Sequence, residues 1–122
     1  MTSAHYSKSV LLVDDNPADL QLFARVLRRN GFKVVATGEI SEAMSAIVSG
    51  QVGCFVTDEI MAVTGRELAE MALGVRNDMG VIFLSGSPRP HITLPRGAVF
   101  VTKDSPERLV SAVQECMEKW LN

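Results

Sequence analysis

The sequence predicts an α/β domain in which helices cover both faces of a parallel sheet. Short apolar runs alternate with stretches whose apolar residues recur at helical spacing, which is typical of βαβ units. The apolar runs are mostly continuous, as expected for strands buried on both faces. The chain has 122 residues, enough for one hydrophobic core but not for two.

The first strand and helix have clear boundaries. The run "SVLLV" at 9–13 predicts the first strand. Asn16 is suited to cap the following helix and Pro17 to be its first residue, since proline fits a position where no amide donor is needed. Basic residues and then Gly31 predict the end of this helix.

The alternation continues through the middle of the chain. "KVVAT" at 33–37 predicts the second strand, and Ser41 is expected to cap a helix that Gly50 ends. "GCFVTD" at 53–58 predicts the third strand, and 65–75 carries a further helical pattern.

Two more strands and a last helix follow, separated by one irregular stretch. Strands are predicted at 80–86 and 98–103, and a helix from about Pro106. The stretch 86–97 contains three prolines and no helical stripe. It is predicted to be a loop or at most one helical turn.

Composition excludes several classes of function. Charged residues make up 21% and apolar residues 47%, with a net charge of −2, so no general affinity for nucleic acid or anionic lipid is expected. No apolar run approaches the roughly 20 residues that span a bilayer. Residues 1–8 lack the apolar core of a secretory signal and predict a polar lead-in. Cys54 and Cys116 are expected to be free thiols in a cytoplasmic protein.

Chemically active side chains collect at the carboxyl ends of the strands, where open parallel sheets bind ligands. Asp14 and Asp15 follow the first strand, Asp58 ends the third, Ser85 lies at the end of the fourth and Lys103 at the end of the fifth. Each has an ordinary explanation alone, as a cap, a turn residue or a solvated charge. Their joint position at one edge indicates a shared site.

The charges of this group predict a metal and a reaction. Two carboxylates about 5 Å apart repel by roughly 3 kcal/mol at an effective dielectric constant of about 20, and Mg²⁺ suits such oxygen ligands. A metal beside a carboxylate, a hydroxyl and an ammonium indicates phosphoryl transfer. Asp58 is the candidate nucleophile, because a carboxylate can form an aspartyl-phosphate. Lys103 and Ser85 would then contact the phosphoryl oxygens.

At these residues the sequence resembles the receiver domain of two-component response regulators. The segments that carry the resemblance are "VLLVDDN", "VTDEIM", "FLSG" and "FVTKD", in that order. They place the receiver domain at 9–122. The resemblance implies a flavodoxin-like fold with five strands in the order 2-1-3-4-5, here with a fourth helix that is short or absent.

The resemblance also assigns the phospho-acceptor and the metal ligands. Asp58 would take a phosphoryl group from a histidine kinase or a phosphotransfer protein. Asp15 and Asp58 would bind Mg²⁺, or Mn²⁺, directly, and Asp14 mostly through water. The backbone carbonyl of Ile60 would be a further ligand. The domain would be a signalling phospho-acceptor rather than an enzyme with a separate substrate.

Three residues would couple phosphorylation to a partner. By resemblance, Lys103 contacts the phosphoryl group, while Ser85 and Phe100 move together as switch residues. A downstream protein effector or output domain would bind the face that they remodel. The chain could be a stand-alone receiver or part of a hybrid kinase or longer regulator, and its oligomeric state is left open.

Some positions depart from the family pattern. Asp104 and Ala62 stand where prolines are usual. The family's proline after the lysine often follows a cis bond, so with Asp104 either the bond is trans and Lys103 is aimed differently, or the strain of a cis bond is tolerated. The stretch 86–97 is short for the family's fourth helix, which leaves the usual dimer and effector surface uncertain.

The sequence leaves alternative functions open. The main one is a receiver-like docking module that works without phosphorylation. A flavin- or nucleotide-binding domain is disfavoured, because "DDNPAD" would repel phosphate. A phosphatase with an aspartyl nucleophile usually carries that nucleophile after the first strand, where this chain has the Asp14–Asp15 pair.

Overall fold

Five strands form one parallel sheet, as the sequence predicts. The computed structural model describes residues 5–59, 70, 78–90 and 93–122. The strands run in the order β2-β1-β3-β4-β5, which confirms the flavodoxin-like order. Their bounds are β1 Ser9–Val13, β2 Val34–Thr37, β3 Val52–Asp58, β4 Gly80–Ser85 and β5 Val99–Thr102.

Helices lie on both faces of this sheet. Their bounds are α1 Pro17–Arg29, α2 Ile40–Val48 and α3 Pro106–Met117, and a 3₁₀ turn, Glu118–Trp120, follows α3. Helices α1 and α3 pack with one face of the sheet in one buried apolar cluster. Helix α2 packs with the other face in a second cluster. Among the described helices, none has the length and apolar character that a membrane span needs.

The start and end of α1 confirm the predicted signals. The Asn16 side-chain oxygen accepts hydrogen bonds from the backbone amides of Ala18 and Asp19, at 3.0 and 3.1 Å. These bonds satisfy two of the amide donors that every helix leaves free at its start. Gly31 has φ of 91°, a left-handed conformation that glycine adopts without steric cost.

The predicted cap of α2 is wrong, because the helix begins before Ser41. It starts at Ile40, and Glu39 in the cap position makes no side-chain capping bond. Thr37 organises this turn instead. Its hydroxyl accepts from the Glu39 amide at 3.0 Å and donates to the Glu42 carboxylate at 2.9 Å.

The connection between β4 and β5 contains no helix among its described residues, 86–90 and 93–97. This agrees with the expected short or absent fourth helix, and its three prolines supply a physical reason. Of the helix predicted at 65–75, the structure describes residue 70 alone, which is helical, and the other ten positions lie outside the described residues. Ala62 also lies outside them.

Two glycines let the C-terminal segment approach the sheet closely. A Cβ atom at Gly53 would lie 2.5 Å from Cδ1 of Trp120, and one at Gly80 would overlap the Cys116 sulfur. Cys54 is buried and Cys116 partly buried, and both are free thiols, as predicted.

The N-terminal residues contact the same C-terminal segment. Tyr6 forms an isolated antiparallel bridge with Leu121, and its ring lies 5.1 Å from that of Phe32. The Lys8 ammonium lies 4.1 Å from the centre of the Trp120 ring. The domain boundary at residue 9 stays a prediction.

Replacing Gly53 with alanine is expected to destabilise the fold, because the new methyl group would overlap Trp120. Overpacking of this kind costs about 1–3 kcal/mol, measurable as a lower free energy of unfolding in urea. Gly86→Ala is the matched control, since a Cβ atom there meets nothing within 4 Å. Equal stability of the two variants would contradict this packing.

Candidate functional site

Three carboxylates meet where β1 and β3 end. Val13 and Thr57 are register partners on these neighbouring strands, so the next residues, Asp14 and Asp58, leave the sheet side by side. Carboxylate oxygens of Asp14, Asp15 and Asp58 lie within 4.8 Å of one another. The structure therefore brings together the three acids that the sequence placed at this edge.

Two of these acids are withdrawn from solvent. Asp14 is 1% exposed and Asp58 is 3% exposed, while Asp15 is exposed. The Asp14 carboxylate accepts a hydrogen bond from the Asn16 amide at 2.9 Å. Buried charges are costly unless they are paired and hydrogen-bonded, so this cluster requires positive charge nearby.

Lys103 supplies that charge. Its Nζ atom lies 2.8 Å from Oδ2 of Asp14, 2.8 Å from Oδ2 of Asp19 and 3.5 Å from Oδ2 of Asp58. The Lys103 amide donates to the Ser85 carbonyl at 2.6 Å, which extends the backbone pairing of β4 and β5 by one residue. The sheet thus carries Lys103 to the acids.

The acids keep this lysine protonated. Partial burial acts to lower the pKa of Lys103, but hydrogen bonds to Asp14 and Asp19 and the charges of Asp14 and Asp58 act against it. The net effect raises the pKa of Lys103 well above its ordinary value. Lys103 is therefore a permanent cation in this site at neutral pH.

Asp19 is a site residue that the sequence reasoning missed. It lies in the first turn of α1, where a negative charge interacts favourably with the helix dipole. The helix dipole alone explains an acid at this position, so nothing in the sequence indicates that Asp19 contacts Lys103. Its contact with Lys103 joins residues 84 positions apart, which no local pattern reports.

Ser85 is buried at the end of β4, and its partner is a second missed residue. Its hydroxyl donates to Oε1 of Glu59 at 3.0 Å, and both side chains are almost fully buried, at 0% and 2% exposed. The only sequence cue for Glu59 is its place directly after Asp58.

Two further predicted residues are Phe100 and Ile60. Phe100 is half-buried on β5, against the apolar cluster on the α2 face, so its switch role stays a prediction. Ile60 lies outside the described residues, and its carbonyl ligand likewise stays a prediction.

The donor set fits a hard divalent cation. Carboxylate oxygens are the ligands that Mg²⁺ and Mn²⁺ prefer, and Asp14, Asp15 and Asp58 are close enough to share one ion. Among the described residues, Lys103 brings one positive charge to these three carboxylates. A group of three carboxylates suits an ion of charge +2 that binds through these residues.

Asp104 does not divert Lys103 from the acids. The described residues contain no cis peptide bond. The Thr102 hydroxyl donates to Asp104 Oδ1 at 2.5 Å, and the Ser105 amide donates to the Thr102 carbonyl at 3.2 Å. These bonds hold the turn after β5.

Comparison with known proteins places this site in a familiar fold. No protein-family model matches the chain, and no curated protein matches it. Solved structures do match. The CheY-like response regulator receiver domain protein from Methanospirillum hungatei JF-1 is 24% identical, with a TM-score of 0.76 over 93% of this chain and 95% of that one.

Two further structures agree with this match. The response regulator receiver protein from Sinorhizobium medicae WSM419 is 22% identical, with a TM-score of 0.76 over 92% of this chain and 95% of that one. The N-terminal domain of a response regulator/sensory box/GGDEF 3-domain protein from Carboxydothermus hydrogenoformans is 20% identical, with a TM-score of 0.73 over 93% and 96%. At these identities the likeness establishes that the chain has the receiver fold.

Asp15→Asn is expected to weaken Mg²⁺ binding by about tenfold or more, because even indirect partners of a metal contribute that much affinity. Stability without metal should not fall, since the change removes repulsion between acids. Calorimetric titration with Mg²⁺ measures the first effect and thermal unfolding the second.

The control removes an equal charge elsewhere. Glu115→Gln is the control. Glu115 lies on α3 beside Cys116, which contacts Gly80 at the start of β4, so Glu115 is at the opposite edge of the sheet from the acids. The substitution should leave Mg²⁺ affinity unchanged. Wild-type affinity in Asp15→Asn would remove Asp15 from the ligand set.

Lys103→Met is expected to destabilise the metal-free protein by about 3 kcal/mol, because the buried carboxylates lose the cation that offsets their charge. Added Mg²⁺ should then stabilise this variant more than the wild type, since the negative charge is no longer partly offset. Unfolding in urea with and without Mg²⁺ measures both effects.

Lys33→Met provides the comparison, because Lys33 is exposed on the loop before β2. It should match the wild type in both conditions. A Lys103→Met protein as stable as the wild type without metal would show that Lys103 does not balance the acids.

Proposed function

We propose that the chain is a phospho-accepting receiver domain of a two-component signalling system. Asp58 accepts a phosphoryl group from a phosphohistidine on a histidine kinase or phosphotransfer protein. The observation that carries the proposal is the placement of Asp58 beside Asp14, Asp15 and Lys103 at one edge of the sheet. The receiver fold supports it independently.

The proposed reaction is a displacement at phosphorus. A carboxylate oxygen of Asp58 forms the new bond to phosphorus, and the bond from phosphorus to the donor's imidazole nitrogen breaks. The imidazole leaves with the electron pair of that bond. Asp58 suits the role of nucleophile because it ends the central strand β3 and is held close to a cation.

The surrounding residues mainly neutralise the negative charge of the phosphoryl oxygens. Lys103 stays protonated and lies 3.5 Å from the Asp58 carboxylate, so it can pair with the oxygens of an incoming phosphoryl group. Asp14, Asp15 and Asp58 would hold Mg²⁺ or Mn²⁺, which supplies positive charge to the same oxygens when bound. Ser85 is the candidate hydroxyl donor.

The output of this reaction is a changed protein surface. Ser85 and Phe100 lie on the neighbouring strands β4 and β5, and Phe100 is the register partner of Phe83, two residues before Ser85. We infer that their movement alters the face around β4 and β5, which a downstream effector or output domain then binds. A cytoplasmic location follows from the proposed kinase partner.

A receiver-like docking module that works without phosphorylation is the alternative. It would share the fold and could use the same face. It gives no reason for crowding three acids within 4.8 Å of one another, which costs stability unless a cation is bound.

The decisive experiment exposes the protein to acetyl phosphate or phosphoramidate with Mg²⁺ and measures intact mass. A gain of one phosphoryl group is expected, because these small donors replace phosphohistidine. Asp58→Asn and removal of Mg²⁺ with EDTA should each abolish the gain. Glu115→Gln should be modified like the wild type.

Two results would reject the proposal. One is a folded wild-type protein that stays unmodified with both donors and Mg²⁺. The other is modification that persists in Asp58→Asn, which would place the phosphoryl group on another residue. The first of these results would favour the docking module.

A further inference from the structure

A buried acid occupies the position next to the proposed phospho-acceptor. Glu59 directly follows Asp58 and is 2% exposed. Acidic side chains are seldom buried to this degree without polar contacts, because burial of a carboxylate is costly. Its Oε1 atom accepts a hydrogen bond from the Ser85 hydroxyl at 3.0 Å.

This contact uses the only proton that Ser85 can donate. A serine hydroxyl carries one donor and two acceptor lone pairs. The donor goes to Glu59, and the oxygen accepts from the Ser87 amide at 3.0 Å. The proposed function requires that same proton to bond a phosphoryl oxygen on Asp58, so the two bonds compete.

The sheet separates Glu59 from the place that a phosphoryl group on Asp58 would take. Asp58 is the register partner of Leu84, and successive side chains of a strand point to opposite faces. Ser85 therefore leaves β4 on the face opposite to Leu84, where Glu59 accepts its bond. To serve a phosphoryl group, the Ser85 hydroxyl must turn away from Glu59.

We propose that Glu59 is a positioning residue that holds the Ser85 hydroxyl away from the Asp58 site. A phosphoryl group on Asp58 then replaces Glu59 as the acceptor of this hydroxyl. This inference rests on the proposed function of Asp58. Glu59 then sets how strongly the phosphorylated state is favoured. In the resting state the Ser85 hydroxyl donates to Glu59, and in the phosphorylated state it would donate to a phosphoryl oxygen on Asp58. Because these two acceptors compete for one proton, removing Glu59 should strengthen phosphoryl binding.

The test measures beryllofluoride affinity, as a mimic of the phosphoryl group, in a double-mutant cycle. Calorimetry with saturating Mg²⁺ compares the wild type, Glu59→Met, Ser85→Ala and the double variant. Glu59→Met keeps a side chain of similar size without an acceptor. It should raise affinity by about tenfold, the loss of one competing hydrogen bond, and should raise it little or not at all when Ser85 is alanine.

Dependence on Ser85 separates this role from simple repulsion. Loss of the Glu59 charge alone would raise affinity equally with serine or alanine at position 85, and that result would overturn the proposal. An unchanged affinity in Glu59→Met would overturn it too. Glu59→Gln keeps an acceptor without the charge, so its affinity should lie nearer to the wild type.

The cycle also distinguishes this inference from the proposed function. Failure of the wild type to bind beryllofluoride and to gain a phosphoryl group would reject both proposals. Normal wild-type binding without coupling between positions 59 and 85 would reject only the role of Glu59.

If Glu59→Met does not fold, as thermal unfolding would show, Glu59→Gln is compared with serine and with alanine at position 85 instead. Its gain in affinity should then be smaller but still require Ser85, and an equal gain with alanine would overturn the proposal.

Discussion

The ion-pair cluster around Lys103 is the interaction on which the carboxyl edge of the sheet depends. Asp14 and Asp58 are almost fully buried, and a carboxylate buried without a partner would destabilise the fold by several kcal/mol. Lys103 contacts both and also reaches Asp19. One side chain on the loop after β5 therefore joins the ends of β1 and β3 to the first turn of α1.

The crowding of three carboxylates beside one lysine of the described residues makes this cluster a candidate for function. A fold selected for stability alone would place fewer acids here, because neighbouring carboxylates repel. Asp15 is exposed and adds negative charge to the cluster without burying itself. Crowded carboxylates of this kind are compatible with a bound divalent ion, and natural proteins commonly give up stability at functional sites.

The sequence was sufficient for the sheet and for the acids, because both leave local signals. Continuous apolar runs defined all five strands to within about two residues, and Asp14, Asp15 and Asp58 followed directly from where those runs ended. Asp19 and Glu59 left no such signal, since their partners are distant in sequence. Ser41 misled because serine before an apolar stripe usually caps a helix, whereas here Thr37 holds the turn from inside the preceding strand.

The position after Lys103 shows why a departure from a family pattern need not disturb a site. A proline there would fix the backbone by its ring, and its replacement by Asp104 removes that constraint. The Lys103 amide nevertheless donates to the Ser85 carbonyl, and Thr102 bonds Asp104 by its hydroxyl. Sheet pairing before the lysine and a side-chain bond across it fix the same turn from both sides. The direction of Lys103 is therefore set by the end of the β4–β5 ladder and by the acids that attract it, and not by the residue that follows it.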